Sequence, residues 1–192
     1  MRNIITIARE HGSGGRTIGR IVADRLGIPF YDRELIYLAA KESGFAEDFV
    51  KAAEEKPSRS FLYNMYMTGQ SLSISDQIFV AQSKVICDIA DKGPCVIVGR
   101  CSDYILRDRK QCLRVFIHAP LEERLRRVSE EYGETAPNIR AYVEKLDKKR
   151  AGYYNSSTLQ RWGAAENYHI CIDSTIGLEQ AADIIITASR GE

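Results

Sequence analysis

The sequence predicts an α/β domain built on a mostly parallel sheet with helices on both faces. Three observations carry this. Short apolar, β-branched runs recur along the chain, as strands buried on both faces require. Stretches with helical apolar spacing alternate with them, the pattern of crossover connections. The segment IAREHGSGGRTIG, residues 7–19, sets a glycine-rich loop directly between the first strand and the first helix.

The elements follow in order. Residues 4–8 are a continuous apolar run and form the first strand. Ile18, Ile21, Val22 and Leu26 recur at helical spacing, and Gly27 ends that helix. IPFYD, residues 28–32, reads as a short second strand, and residues 33–42 as a helix closed by Gly44. Residues 45–74 resist assignment. EEKPSRS breaks a helix, and FLYNMYMTGQSLS lacks clean periodicity, so a partly helical, mobile insertion is expected there. Its Phe61, Leu62, Tyr63, Met65, Tyr66 and Met67 need something to pack on.

Residues 75–91 place Ile78, Phe79, Gln82, Val85, Ile86 and Ile89 on one helical face. GPCVIVGR is a buried strand ending in Gly99-Arg100, and residues 112–120 are another. Pro120 suits the first turn of a helix over residues 121–132 that carries Arg124, Arg126 and Arg127. A strongly charged helix is expected from about residue 138 to 149, a last strand over 168–174, and a final helix from about 178 to 189. The glycine loop, Asp32, Gly99-Arg100 and Asp173 then all fall at carboxyl ends of strands, where such sheets bind ligands.

Size and composition bound the function. The 192 residues fit one domain and can bury a sizeable core. A net charge of +1 gives no bulk electrostatic case for nucleic acid or membrane as a partner, so an anionic ligand must be held by a local cluster of donors. No apolar run approaches membrane-spanning length, and the polar N-terminal residues do not suit a signal peptide. The five scattered cysteines, Cys87, Cys95, Cys101, Cys112 and Cys171, form no C-x-x-C pair. Cys95, Cys112 and Cys171 lie in or beside strand-like runs as small hydrophobes, which suits a reducing cytoplasm.

Glu10 to Thr17 reads EHGSGGRT, against the phosphate-loop pattern G-x-x-x-x-G-K-S/T. Gly15, a cation and a threonine fit, whereas Glu10 stands at the first glycine and Arg16 at the lysine. Gly12, Gly14 and Gly15 permit the turns that aim backbone N–H groups at an anion. Thr17 is placed to offer its hydroxyl to Mg2+, and Arg16 can fork across phosphate oxygens. Glu10 is expected to turn away from a bound triphosphate. The competing reading is a plain strand-to-helix turn.

The stretches ITIAREHGSGGRTIGRIVADRLGIPFYDRELI, VIVGRCSDYIL, APLEERLRRV, DKKRAGYYN and CIDSTIGLEQ resemble the cytidylate kinase-like branch of the nucleoside monophosphate kinases. The resemblance implies a P-loop nucleoside monophosphate kinase-like fold: a five-stranded parallel sheet, helices on both faces and a helical lid. It implies a single domain over residues 1–192, with an acceptor-binding insertion at 33–74 and the lid at about 121–155. It implies ATP and Mg2+, with small nucleotides as partners, CMP or dCMP first among acceptors, and a homodimer as the candidate assembly. Gly12, Ser13, Gly14, Gly15, Arg16 and Thr17 would hold ATP, with Thr17 at the metal. Asp32, Arg100, Asp147 and Arg150 would hold the acceptor, and Arg16, Arg124, Arg127 and Arg150 would act in catalysis.

The chain departs from that family at Arg16, at Arg33 and Glu34 where the family has serine and glycine, at Leu38 where it has an arginine, and at Cys101 where it has aspartate. Two alternatives stay open: a nucleotide-binding regulatory protein without transfer, and a kinase for a non-nucleotide small acceptor. Single residues also have simpler readings. Arg124, Arg126 and Arg127 suit a solvated helix face, and Asp147 with Arg150 a surface ion pair. Asp32 suits a helix cap, Tyr153 and Tyr154 packing, His11 a spacer, and His118 and His169 strand positions.

Overall fold

The computed structural model describes residues 2–32, Lys41 and residues 74–191. The helix expected at 33–42 and the insertion expected at 45–74 lie outside these residues, apart from Lys41 and residue 74, and so do Arg33, Glu34 and Leu38. Among the described residues five strands form one sheet: β1 (Ile4–Arg9), β2 (Phe30–Tyr31), β3 (Cys95–Val98), β4 (Cys112–His118) and β5 (Ile170–Asp173). Their order is β2-β3-β1-β4-β5 and every pairing is parallel. β1 is central. It pairs Ile4 to Ile7 with Cys95 to Val98 on one side, and Ile4 to Arg9 with Cys112 to Ile117 on the other.

Alternation along the strands sends side chains to two cores. Ile5 and Ile7 of β1, Val96 and Val98 of β3, and Leu113, Val115 and Ile117 of β4 pack beneath helices α1 (Gly15–Leu26) and α6 (Leu178–Arg190). Ile18, Val22, Ala182 and Ile185 are the helical partners. On the opposite face Ile4, Cys95, Ile97 and Cys112 pack beneath α2 (Ile74–Asp91), through Val85, Ile86 and Ile89, and against Leu106. Leu106 follows the short helix α3 (Ser102–Ile105), which the sequence reading left unassigned. A third cluster joins Phe116 to Trp162 and Tyr168, with ring centroids 5.6 and 5.0 Å away.

The cysteines act as the strand readings require at two positions. Burial pushes the Cys95 and Cys112 thiols up to about 11, so both are neutral. Cys171 differs: it lies exposed on the edge strand β5. All five cysteines are free thiols.

Two helices complete the described chain. α4 (Leu121–Glu130) starts one residue after Pro120, which has an extended conformation at the N-cap rather than occupying the first turn. α5 (Ile139–Thr158) is capped by Asn138, whose side chain accepts the Ala141 N–H at 2.9 Å. It runs nine residues past the expected end at 149. Tyr154, 4% exposed, and Thr158, 3% exposed, anchor this extension in the protein. Tyr154 donates its hydroxyl hydrogen to Asp103 of α3 at 2.8 Å.

Ile5 is fully buried between the central strand and two helices. Ile5→Ala is expected to cost about 2–5 kcal/mol of unfolding free energy, read as a lower urea midpoint at unchanged slope.

Candidate active site

β1 runs straight into the glycine loop. The Glu10 N–H extends the sheet ladder by donating to Ile117 O at 3.0 Å, and the chain then turns. The turn closes on Glu10 O, which accepts Ser13 N–H at 3.4 Å and Ser13 Oγ–H at 2.9 Å. Gly12 and Gly14 lie at φ +81° and +77°, conformations that side-chain-bearing residues rarely take. A Cβ on Gly12 would fall 2.7 Å from Arg124 O. Gly14 is the N-cap of α1 and has no side chain to cap its first turn, which also carries no acidic residue. A helix start of this kind attracts an anion. Arg16 and Thr17 are exposed on that turn. The site therefore fits a phosphate chain, and Thr17 presents an open hydroxyl of the kind that shares a Mg2+ ion with phosphate oxygens.

The opposite side of the loop is gripped by α4 and α5. Arg127, 6% exposed, donates from Nη1 to Gly12 O at 2.7 Å. Arg124, 9% exposed, donates from Nε to Ala119 O at 3.1 Å and from Nη1 to His11 O at 3.2 Å and to Asp147. Asp147 in turn accepts the His11 N–H at 2.7 Å. The solvated-face reading of Arg124 and Arg127 is thus overturned, while Arg126 keeps it, paired to Glu123 and Glu130 on its own helix. Asp147 is also more than a surface partner of Arg150: their nearest approach is 3.8 Å, and its main bonds cross to the loop. Glu10 points to this side as well, accepting the Ala119 N–H at 3.2 Å and facing Arg124 Nε at 3.3 Å.

His11 is no spacer. Its Nδ1 lies 3.4 Å from Arg150 Nη2, and because a guanidinium only donates, that nitrogen accepts. Its ring meets Tyr132 and Tyr142 edge-on, with centroids 6.2 and 5.6 Å away. Burial, then the charge of Arg150, lower its pKa to about 4, with Asp147 opposing. The Tyr132 hydroxyl also reaches the loop and accepts the Gly14 N–H.

Across the loop lie the ends of β2 and β3. Asp32, 7% exposed, pairs with Arg16 Nε. After β3, Gly99, Arg100 and Cys101 take three successive left-handed conformations, with φ of +81°, +59° and +54°. Two of these are not glycine, which concentrates backbone strain at this turn. The turn holds Arg100 among Tyr153, Arg150 and Asp32, and burial lowers its pKa. Burial likewise lowers the pKa of Arg150, with Asp147 opposing. Arg150 also donates to Arg9 O at 3.4 Å. The geometry therefore gathers Arg16, Asp32, Arg100, Arg124, Arg127, Asp147 and Arg150 around the glycine loop, Arg124, Arg127 and Asp147 on one side of it and Arg16, Asp32 and Arg100 on the other.

One expected residue does other work, and two pack as their simpler reading has it. Asp173 caps the turn after β5 by accepting the Thr175 N–H at 3.0 Å. Tyr153 packs against α2, donating to Gln82 Oε1 at 3.1 Å, and Tyr154 packs beside Asp103. Arg9 joins the site without having been expected there. The signal available for it was a charged residue closing an apolar strand immediately before a glycine loop.

Comparison with known proteins gives the family and the fold. The sequence pattern of the cytidylate kinase-like family matches residues 4–176. A cytidylate kinase from Archaeoglobus fulgidus is 27% identical over 191 residues, covering 96% of this chain and 93% of that one. The crystal structure of an uncharacterized protein from Eubacterium ventriosum is 30% identical and superposes over 100% of both chains with a TM-score of 0.77. A gluconokinase from Sinorhizobium meliloti shares the fold at 14% identity, with a TM-score of 0.58 over 98% of this chain and 92% of that one.

Two titratable groups, the half-buried His11 and the buried Asp103, set opposite pH slopes. His11 is held below its ordinary value, so its contribution to stability is present above about pH 6.5 and is lost as pH falls toward 4. An NMR titration should find its ring neutral at pH 5.5. Asp103 is pushed up to about 6, chiefly by burial. Its contribution is present below its ordinary value near 4 and is lost as pH rises through 6. Asp103→Asn, which can still accept from Tyr154, should be more stable than wild type at pH 8, by at most about 3 kcal/mol in urea melts.

Proposed function

The chain belongs to the cytidylate kinase-like family and is a phosphotransferase of that kind; from this premise we propose that it moves the γ-phosphoryl group of ATP to a nucleoside monophosphate, CMP or dCMP first. The observation that carries this reading is the uncapped glycine-loop helix start facing cations from several separate elements. The A. fulgidus relative, a cytidylate kinase, supports the acceptor.

Each residue then has a role. The loop from Gly12 to Gly15 cradles the ATP phosphates against the uncapped first turn of α1, with Arg16 and Thr17 at their edge. Mg2+, held by Thr17 and phosphate oxygens, would neutralise charge on the phosphate chain. Arg100 grips the acceptor phosphate, and Asp32 orients Arg16 toward the acceptor side. Arg124, Arg127 and Asp147 are positioning residues: their bonds go to loop backbone and to one another. Arg150, whose contacts are longer, can turn to the reacting phosphates.

Residues 121–155 act as the lid that carries these side chains and excludes water, which limits wasteful hydrolysis. No general base is required, because the acceptor phosphate is already an anionic nucleophile at neutral pH. Among the described residues no helix is long and apolar enough to cross a membrane, and the free cysteines support a cytoplasmic setting.

A second reading has its own observation. Arg16 leans on Asp32 and its side chain is 56% exposed, an arrangement that also suits a nucleotide-binding regulator. Arg33, Glu34 and Leu38 favour a third, a non-nucleotide acceptor.

ADP formation from MgATP with a panel of nucleoside monophosphates separates these readings. Turnover with CMP or dCMP, reduced about 10²-fold or more in Arg16→Ala, is the expected result. ATP binding without turnover on any acceptor would select the regulator, and turnover confined to non-nucleotide acceptors the third reading. A second measurement checks the metal: Thr17→Ala should raise the Mg2+ concentration needed for half-maximal rate, with the melting temperature unchanged.

A further inference from the structure

Arg9 lies at the centre of the proposed site and has no role in the scheme above; the inference drawn from it rests on that scheme. Arg9 closes the central strand opposite Ile117. Two glycines make room for its side chain. A Cβ on Gly99 would fall 2.0 Å from Arg9 Nη1, and one on Gly15 would fall 2.6 Å from Arg9 Cβ. Gly15 begins the helix beneath the ATP cradle, and Gly99 begins the strained turn that holds Arg100. The guanidinium is thus threaded between the donor loop and the acceptor loop.

Its electrostatic surroundings agree with that position. The charges acting on it most strongly belong to Arg150, Arg100, Asp32 and Arg16. Guanidinium groups keep their charge. Arg9, Arg16 and Arg100 share the Asp32 carboxylate, and Arg150 shares Asp147 with Arg124, so positive charge is in excess, and a multiply charged anion relieves it. Arg16 is tied to Asp32 and largely exposed. Arg9 instead issues from the central strand of the sheet, paired on both sides, so its charge is held in a fixed place.

We propose that Arg9 is a phosphoryl-binding residue that bridges the ATP γ-phosphate and the acceptor phosphate and stabilises the group in transit. In that step an oxygen of the acceptor phosphate supplies the electron pair for a new bond to the γ-phosphorus. The bond from that phosphorus to the ADP oxygen breaks, and its electron pair leaves on ADP. Arg9 transfers no proton; it offers fixed charge to the equatorial oxygens.

The test compares wild type, Arg9→Gln and Arg9→Lys. MgATP and MgADP affinities are measured by calorimetry, and turnover is measured with CMP or dCMP. Arg9→Gln is expected to lower kcat about 10²- to 10³-fold and to weaken ATP about tenfold, while ADP affinity holds. Arg9→Lys, which keeps the charge and most of the stem, should recover part of both and serves if the glutamine variant folds poorly. Equal weakening of ATP and ADP, or an unchanged kcat, would overturn the proposal. If the wild-type chain turns over no monophosphate, the acceptor reading fails separately. The preference for ATP over ADP then decides the role of Arg9: its loss in Arg9→Gln upholds the assignment, and its persistence overturns it.

Discussion

The ion pair between Arg124 on α4 and Asp147 on α5 is the point to which the rest of the site is tied. Both partners are largely buried, and both also bond the backbone of His11, one at its carbonyl and the other at its N–H. Two helices that are distant in sequence from the first strand thereby fix the loop that follows it. Removing one member of a buried pair leaves the other charge without compensation, a loss of about 3–5 kcal/mol. Here the same loss would also free the loop backbone.

This fastening sorts the polar groups of the loop. The carbonyls of Glu10, His11 and Gly12 accept from Ser13, Arg124 and Arg127. Glu10 is drawn to the same side by Arg124 and the Ala119 N–H. Negative ends of dipoles and the one carboxylate of the loop are thus engaged on the α4 side. The helix start at Gly14, Arg16 and Thr17 belongs to the other side, where Asp32, Arg100, Arg9 and Arg150 gather. A glutamate at the first position of a phosphate loop is tolerable for this reason.

The sheet supplies the remaining constraint. With β1 central and parallel to both neighbours, the loops after β1 and β3 emerge side by side at one edge. The two loops to which the proposed reading assigns the donor and acceptor phosphates are therefore neighbours. Gly15 and Gly99 admit the Arg9 side chain between those loops, a matter of sterics that a methyl group at either position would end.

Much of this was legible in the sequence. The β-branched run before EHGSGG, the helical spacing of Ile18, Val22 and Leu26, and the strands ending at Asp32 and Gly99-Arg100 are local patterns, and they determined the parallel α/β fold and the carboxyl-edge location of the loop. What sequence periodicity could not reveal depends on contacts between distant residues. The last turns of α5 read as polar, because their burial rests on Tyr154 and Thr158 meeting partners such as Asp103 from elsewhere in the chain. His11 looked like a spacer because its partners, Asp147 and Arg150, lie more than 130 residues away. Arg9 looked like the polar end of a strand, since its surroundings exist only once Gly15, Gly99 and Arg150 have been brought together. Local spacing decides which elements form. Only tertiary packing, which sets the distance between charges and the room around them, decided which arginines hold the loop and which face the crevice.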